Sequence, residues 1–307
     1  MRIAAVLLFL APLAAARNVD TGDAPMLVGQ GGLFRVGYAN DYFSGTDRYY
    51  TQGVAVDLFH PVLRKSPLMR LLPALPDSAR SYGLALRDST FTASRTESDE
   101  VIVGDRPFAD YVYLGHELVS KDPGRGLTLV AELDAGLIGQ GVGGDAHKWA
   151  HRVLNNRDPK GWNNQIRNDV VLDYYLRLEK TVQASRWEDL AFGADTTVGT
   201  LYDNAGVEGT IRFGRLSSGV KNHYYVYGRG QEKVVGYDAT MQGGMTNKNN
   251  SYTLSTAGID RFVARADLGI VIDFDRLALQ AVWSDLSPEF WHASTQRWVE
   301  ISIIARF

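Results

Sequence analysis

The stretch Arg261-Phe262-Val263-Ala264-Arg265-Ala266-Asp267-Leu268-Gly269-Ile270-Val271-Ile272-Asp273-Phe274 decides the fold class. Its even positions, Phe262, Ala264, Ala266, Leu268, Ile270, Ile272 and Phe274, are all apolar, whereas the odd positions carry Arg261, Arg265, Asp267 and Asp273. Successive side chains of a strand point to opposite faces, so the pattern specifies a strand with one apolar and one charged face. The same division recurs where Leu127, Leu129, Ala131, Leu133, Ala135 and Leu137 oppose Thr128, Glu132 and Asp134, and where Leu172, Tyr174, Leu176 and Leu178 oppose Asp173, Arg177 and Glu179. A soluble sandwich and a membrane barrel both show such alternation, and strand length separates them. These runs exceed the ~5 to 6 residues of globular strands and match the ~9 to 11 that a tilted strand needs to cross a bilayer.

Working outward, similar segments fall near 33 to 42, 50 to 59, 81 to 91, 108 to 118, 125 to 138, 169 to 180, 186 to 199, 204 to 215, 222 to 236, 261 to 274, 276 to 286 and 297 to 307. The last alternates Val299, Ile301, Ile303, Ala305 and Phe307 against Glu300, Ser302 and Arg306, and resembles the closing strand of bacterial outer-membrane proteins. The pattern predicts an all-β fold, a twelve-stranded antiparallel transmembrane β-barrel with a short helix in an extracellular loop. With the mature N-terminus in the periplasm, the long connections 92 to 107, 139 to 168 and 237 to 260 lie outside the cell, and the Asp275-Arg276 turn lies inside. Residues 60 to 80 break this rule as a long periplasmic connection, for which a short amphipathic helix lying at the interface is expected. Residues 1 to 16 read as a signal peptide, with Arg2, an apolar run from Ile3 to Leu13, and Ala14-Ala15-Ala16. Residues 17 to 307 then form one outer-membrane barrel domain.

Composition agrees with a folded body and narrows its partners. Among 307 residues, 35 acidic side chains face 32 basic ones and 45% are hydrophobic, which excludes a disordered tail and gives no basis for a nucleic-acid partner. The absence of cysteine removes disulfides, thiolate metal sites and cysteine nucleophiles. Fifteen tyrosines and six tryptophans suit aromatic girdles at the two membrane interfaces.

Two polar clusters are candidates for chemistry. The first, Asn40-Asp41-Tyr-Phe-Ser-Gly-Thr-Asp47-Arg48-Tyr-Tyr50-Thr51-Gln52-Gly53, joins the first two strands, and alternation directs Asp41 and Thr51 toward the lumen near one rim. On composition alone, a hairpin whose Asn, Asp, Ser and Gly only make turns is the plainer reading. The second spans Gly139 to Asn168, where Ala146 to Leu154 can form a helix with His147 and His151 on one face. Such a pair admits zinc, but the glutamate that follows the first histidine of a metalloprotease is missing, and a plain surface helix is the alternative. Histidine suits a general base near neutral pH, a carboxylate beside an amide suits calcium, and a cation with a hydroxyl can stabilise an ester oxyanion. Together they describe a hydrolase. No Gly-x-Ser-x-Gly elbow indicates a serine esterase.

The strings Asn40-Asp41, Thr46-Asp47-Arg48-Tyr-Tyr-Thr51-Gln-Gly53, Gly104-Asp105-Arg106-Pro107-Phe108-Ala109, and Gly139-Gln140 followed by His151 and Gly161-Trp162-Asn-Asn-Gln165 resemble, in order and spacing, the outer-membrane lipid A 3'-O-deacylase family. The resemblance covers most of the mature chain. It implies a calcium-dependent hydrolase in the bacterial outer membrane that removes the 3'-acyloxyacyl group of lipid A at the extracellular face. It further implies that His151 activates water, that Asn40 and Asp41 form the Ca2+ and oxyanion region, and that Thr51 supplies the hydroxyl. Lipid A, or lipopolysaccharide, would be the partner, with no obligate protein partner evident. Arg48 and Arg106 are expected to meet its phosphate or carboxylate groups. His147 stands where many relatives have glutamine, and Arg157 stands where the type member carries a carboxylate, with Asp158 beside it as a substitute. A barrel serving only as a pore or binding protein, and an outer-membrane phospholipase, are the alternative functions.

Overall fold

Alternation becomes architecture in the computed structural model, which describes residues 31–46, 48–97, 99–140, 160–216 and 223–307. The twelve strands are β1 (Leu33–Asn40), β2 (Tyr49–Phe59), β3 (Ala79–Thr92), β4 (Ala109–Asp122), β5 (Leu127–Ile138), β6 (Asp169–Ala184), β7 (Glu188–Gly199), β8 (Tyr202–Arg215), β9 (His223–Asp238), β10 (Phe262–Asp273), β11 (Leu277–Leu286) and β12 (Gln296–Arg306). Each pairs antiparallel with its sequence neighbours, and β1 pairs with β12 to close the barrel. Closure leaves no edge, so every strand finds backbone partners without water. The signal peptide and the helix expected over Ala146 to Leu154 lie outside the described residues. The one short helix that is described, α1 (Ala239–Gln242), belongs to another loop, with the Asp238 carboxylate accepting from the Thr240 N–H at 2.8 Å.

The faces are inverted relative to a soluble protein. On β10, Leu268 is 64% exposed while neighbouring Asp267 is 5% exposed. The apolar parity therefore faces outward and the charged parity fills the lumen, as a lipid-embedded barrel requires. No described helix is long and apolar enough to cross a membrane, so crossing falls to the strands. An isolated buried charge is costly, and the lumen meets this cost by sharing partners. Arg35 and Arg87 both bind Asp57, Arg87 at 2.7 Å. Arg177 holds Glu179 at 2.8 Å and Glu208 at 2.5 Å. Arg229 and Arg265 share Asp267 at 2.9 and 2.7 Å, and Lys233 pairs with Asp195. Arg261, expected inside, instead lies before β10, where its guanidinium donates to the carbonyls of Val235 and Thr256 at the rim.

The two barrel ends differ. One carries the connections 41–48, 93–108, 139–168, 239–261 and 287–295, with a short link only between β7 and β8; the other carries the turns 123–126, 185–187 and 274–276. The lumen at the long-loop end is closed by an aromatic cluster, with Tyr50 at 5.6 Å from Phe91 and 5.0 Å from Trp298, and Phe91 at 6.1 Å from Tyr111. Several tyrosines expected in girdles thus line the interior, while Tyr38, Tyr224, Trp187, Trp283 and Trp291 are exposed. Residues 60 to 78 form no α-helix. Two 3-10 turns, Pro61–Lys65 and Pro67–Leu71, replace it, each begun by a proline whose fixed φ starts a turn and whose missing N–H cannot continue one.

Two substitutions test the inverted faces by urea titration of the barrel refolded in vesicles. Leu268→Arg is expected to destabilise by about 2–4 kcal/mol, the cost of a cation on the lipid face near mid-membrane. Asp267→Ala is expected to cost about 3–5 kcal/mol by removing the carboxylate that two buried guanidinium groups share.

Candidate active site

On the outward face, β1 to β4 begin apolar at the short-turn end and become polar at the other. The sequence Phe34, Val36, Tyr38 ends in Asn40, Leu58, Val56, Val54 ends in Gln52, Leu84 and Leu86 give way to Asp88 and Thr90, and Leu114 and Val112 lead to Asp110. The register places Asn40 opposite Gln52, Gln52 opposite Thr90, and Thr90 opposite Asp110. One polar row thus crosses four strands on the side that faces lipid, and all four of its side chains are buried. The row is linked within itself: Asn40 Nδ2 donates to the Tyr38 hydroxyl at 2.9 Å, that hydroxyl donates to Gln52 Oε1 at 3.3 Å, and Thr90 donates to Asp110 Oδ2 at 3.3 Å. Asp110 Oδ1 accepts no hydrogen bond from the described residues. Gln52, Thr90 and Asp110 were not singled out from the sequence; the signal was the loss of apolar character at the same end of four outward faces.

Thr51 corrects an expectation. Alternation from Gly53 directs it into the lumen, but the register between β2 and β3 slips between Tyr50 and Gln52. Tyr50 must face inward to complete the aromatic cluster, so two consecutive residues, Thr51 and Gln52, are left on the outer side of this bulge. The Thr51 hydroxyl lies 2.9 Å from that of Thr92, which continues the outward parity of Asp88 and Thr90. Asp41 stays beside it, its N–H donating to the Thr51 carbonyl at 3.2 Å. The Asp41 carboxylate is buried in the β1–β2 turn, where Oδ2 accepts from the Thr46 hydroxyl at 3.1 Å and the Arg48 N–H at 2.9 Å. Asn40 Oδ1 accepts from the Tyr42 N–H at 2.7 Å. Asn40, Asp41 and Thr51 are therefore brought together, with Thr51 on the outer wall beside Asn40 rather than in the lumen.

His151, His147, Arg157 and Asp158 lie outside the described residues, but the chain is anchored on either side of them, to the polar row at one end and to the 93–108 connection at the other. The Gly139 N–H donates to the Asp110 carbonyl at 2.8 Å, and the Lys160 N–H donates to the Thr96 carbonyl at 2.8 Å. Gly139 has φ of 120°, and a Cβ there would sit 2.6 Å from the backbone of Asn168. Trp162 packs against Phe108 at 5.2 Å, and Gly161 lies so close that a Cβ would meet the Phe108 ring at 2.2 Å. These contacts explain why the motif needs glycine before tryptophan. Arg106 serves a different purpose from the one expected of it. It is fully buried, pairs with Glu289 at 2.6 Å and lies 4.0 Å over the Phe91 ring, so it closes the lumen and cannot meet a phosphate. Asp105 in the same motif ties the loop by accepting from the Ser94 N–H and hydroxyl at 2.8 and 2.6 Å.

For a metal, Asn40 and Asp41 offer amide and carboxylate oxygens, the hard donors that calcium prefers. Both are already folded into one turn, so the donor set fits such an ion in chemical type. The described residues contain no group of three or more His, Cys, Asp or Glu side chains able to hold a metal, so the remaining positions of a shell would fall to carbonyls, water or substrate.

This wall is also where comparison with known proteins becomes informative. A family described as "Outer membrane protein LpxR" matches residues 3–307. The chain belongs to that family. Among solved structures, it is similar to LpxR from Salmonella typhimurium, with a TM-score of 0.74 and 19% identity over 90% of this chain and 100% of that one. It also resembles an outer-membrane channel from Pseudomonas putida F1, with a TM-score of 0.51 and 12% identity over 94% of this chain and 100% of that one. At these identities the likeness is one of fold. No curated protein matches the sequence. Membership in the LpxR family identifies the chain as an outer-membrane β-barrel and sets its inverted faces in that bilayer.

The loop anchor is testable without substrate. Gly139→Ala, strained at its positive φ and blocked by Asn168, is expected to speed tryptic cleavage between residues 140 and 168 several-fold while the heat-resistant barrel band on gels is retained.

Proposed function

We propose that the chain is a lipid A deacylase that hydrolyses the ester-linked 3'-acyloxyacyl group in the outer leaflet, with its site at the extracellular rim. The observation that carries this reading is the polar row Asn40-Gln52-Thr90-Asp110 on a wall that otherwise faces lipid. Polar groups are unfavourable against hydrocarbon, whereas an amphiphile held in the leaflet can set its head group on such a row and its acyl chains along Val54, Val56 and Leu86 beneath. The substrate then arrives by lateral diffusion. The lumen, crossed by shared ion pairs and closed by aromatic rings, speaks against a pore.

In this mechanism the His151 imidazole removes a proton from water as its oxygen attacks the ester carbonyl, and returns the proton to the departing alkoxide. The loop that carries this histidine is anchored at its described ends, by the Gly139 N–H on the Asp110 carbonyl of the row and by the Lys160 N–H on the Thr96 carbonyl. Thr51 orients the carbonyl through its hydroxyl, held in place by Thr92. Asn40 and Asp41 would hold Ca2+, whose positive charge would favour the developing oxyanion. Asp41 is kept in position by Thr46 and the Arg48 N–H.

Mass spectrometry of lipid A from expressing cells tests the assignment. His151→Ala and Asp41→Ala are each expected to lower deacylation at least a hundredfold while the barrel stays folded, and Thr51→Val to lower it about tenfold. Chelation of calcium is expected to abolish the reaction. Undiminished deacylation in the first two variants would remove the site, and hydrolysis of phosphatidylethanolamine in place of lipid A would identify a phospholipase.

A further inference from the structure

We propose that residues 60 to 78 form, with the ends of β2 and β3, a binding site for the phosphate of an anionic phospholipid in the leaflet at the short-turn end. The inference is independent of the deacylase reading, whose site lies at the opposite end of the barrel.

The segment lies as a strap along the outside of the wall. Met69 and Leu72 are buried against Leu118 of β4 and Ala131 of β5, with Leu133, Tyr174 and Leu176 packed around them. These five wall residues belong to the outward parity of their strands, so the strap occupies space that lipid fills elsewhere. Polar contacts fix it: the Leu75 N–H donates to Ser120 Oγ at 2.9 Å, Ser78 and Ser120 hydroxyls lie 2.6 Å apart, and the Tyr174 hydroxyl donates to the Leu71 carbonyl at 2.8 Å. A merely connecting loop would not need three attachments to β4 and β6.

Apart from Asp77 near its end, the charged and large apolar side chains that the strap leaves exposed are of two kinds. Val62, Leu68 and Leu71 are exposed apolar side chains, and Arg64, Lys65 and Arg70 are exposed cations. Residues 61 to 76 contain these three cations and no acidic residue. This combination of apolar and cationic groups suits the head-group boundary of a bilayer. Between the strap and the barrel lies a cavity of about 320 Å³, lined among others by His60, Arg64, Arg80 and Tyr82. The His60 ring is stacked on that of Phe307 at 6.2 Å, and its Nδ1 accepts the Val62 N–H, which gives the cavity a fixed wall. Arg64 comes from the strap and Arg80 from the start of β3. Two guanidinium groups on one cavity match a phosphate diester, since planar N–H forks bind such oxygens in pairs. The exposed apolar side chains of the strap, Val62, Leu68 and Leu71, suit the acyl chains attached to that phosphate. Charge complementarity therefore selects an anionic phospholipid over a zwitterionic one, because the latter's ammonium would meet the same cations.

Native mass spectrometry of the detergent-solubilised full chain tests this, with phosphatidylglycerol, phosphatidylethanolamine and inorganic phosphate as probes. Phosphatidylglycerol is expected to be retained about tenfold more than phosphatidylethanolamine. Arg64→Gln with Arg80→Gln is expected to reduce that retention about tenfold, and the paired lysine variants to restore part of it. Arg186→Gln, in another turn at the same end, serves as the control and is expected to change nothing. Equal retention of both lipids, undiminished retention in the double glutamine variant, or an equal loss in the Arg186 control would overturn the site. Displacement of the lipid by millimolar inorganic phosphate would assign the cavity to a free anion and overturn the lipid assignment. All variants are checked by heat-modifiable mobility, and lipid A deacylation is expected to persist in each.

Discussion

Hydrocarbon offers no hydrogen-bond partner, and this constraint governs the molecule from the backbone inward. A strand in lipid must be paired on both sides, so the sheet closes, and closure produces an enclosed lumen with its own chemistry. Charged side chains then face inward by the same alternation that sends leucine and isoleucine outward. Once enclosed they have to satisfy one another, which is why single aspartates such as Asp57 and Asp267 each serve two arginines. Rigidity of the wall follows from these shared contacts, and a rigid wall is what lets a few residues at its rim hold defined positions.

The rim shows how two demands on neighbouring residues are reconciled. Tyr50 is needed inside to complete the aromatic closure of the lumen, and Gln52 is needed outside to continue the polar row. Strict alternation satisfies both residues only if something is skipped, and the bulge at Thr51 adds the place required. The hydroxyl consequently emerges on the same face as Asn40. The adjoining turn uses Asp41 as its organiser, so the carboxylate proposed to attract a cation also holds the loop that presents it.

Strand identity and facing were legible in the sequence because they depend on nearest neighbours. The charged and apolar parities of β5, β6 and β10 could be read directly, and Asn40 and Asp41 stood out from their setting. The bulge could not be read, since it depends on Tyr50 meeting Trp298, nearly the whole chain away. Arg106 was misjudged for a similar reason: its partner Glu289 lies 183 positions distant, and an arginine in a loop motif looks available until that carboxylate is found. Asp110 and Thr90 were missed because a row is a property of register between strands, not of any one of them. The long connection after β2 looked like a flaw in the topology and is instead an external strap with its own contacts.

The polar row has a further consequence for the surrounding bilayer. Continued around the barrel, it passes into Val299 of β12 and Trp283 of β11, which are apolar. Measured along the strands from that row, the apolar outward face therefore ends at least one residue pair, about 6.5 Å, sooner on β1 to β4 than on β11 and β12. Lipids bordering this sector meet a hydrophobic mismatch, and the leaflet has to thin or dip there to match it. Such a depression would bring a head group down to the row without lifting its acyl chains into water, so the shape of the wall itself prepares the membrane for whatever the rim receives.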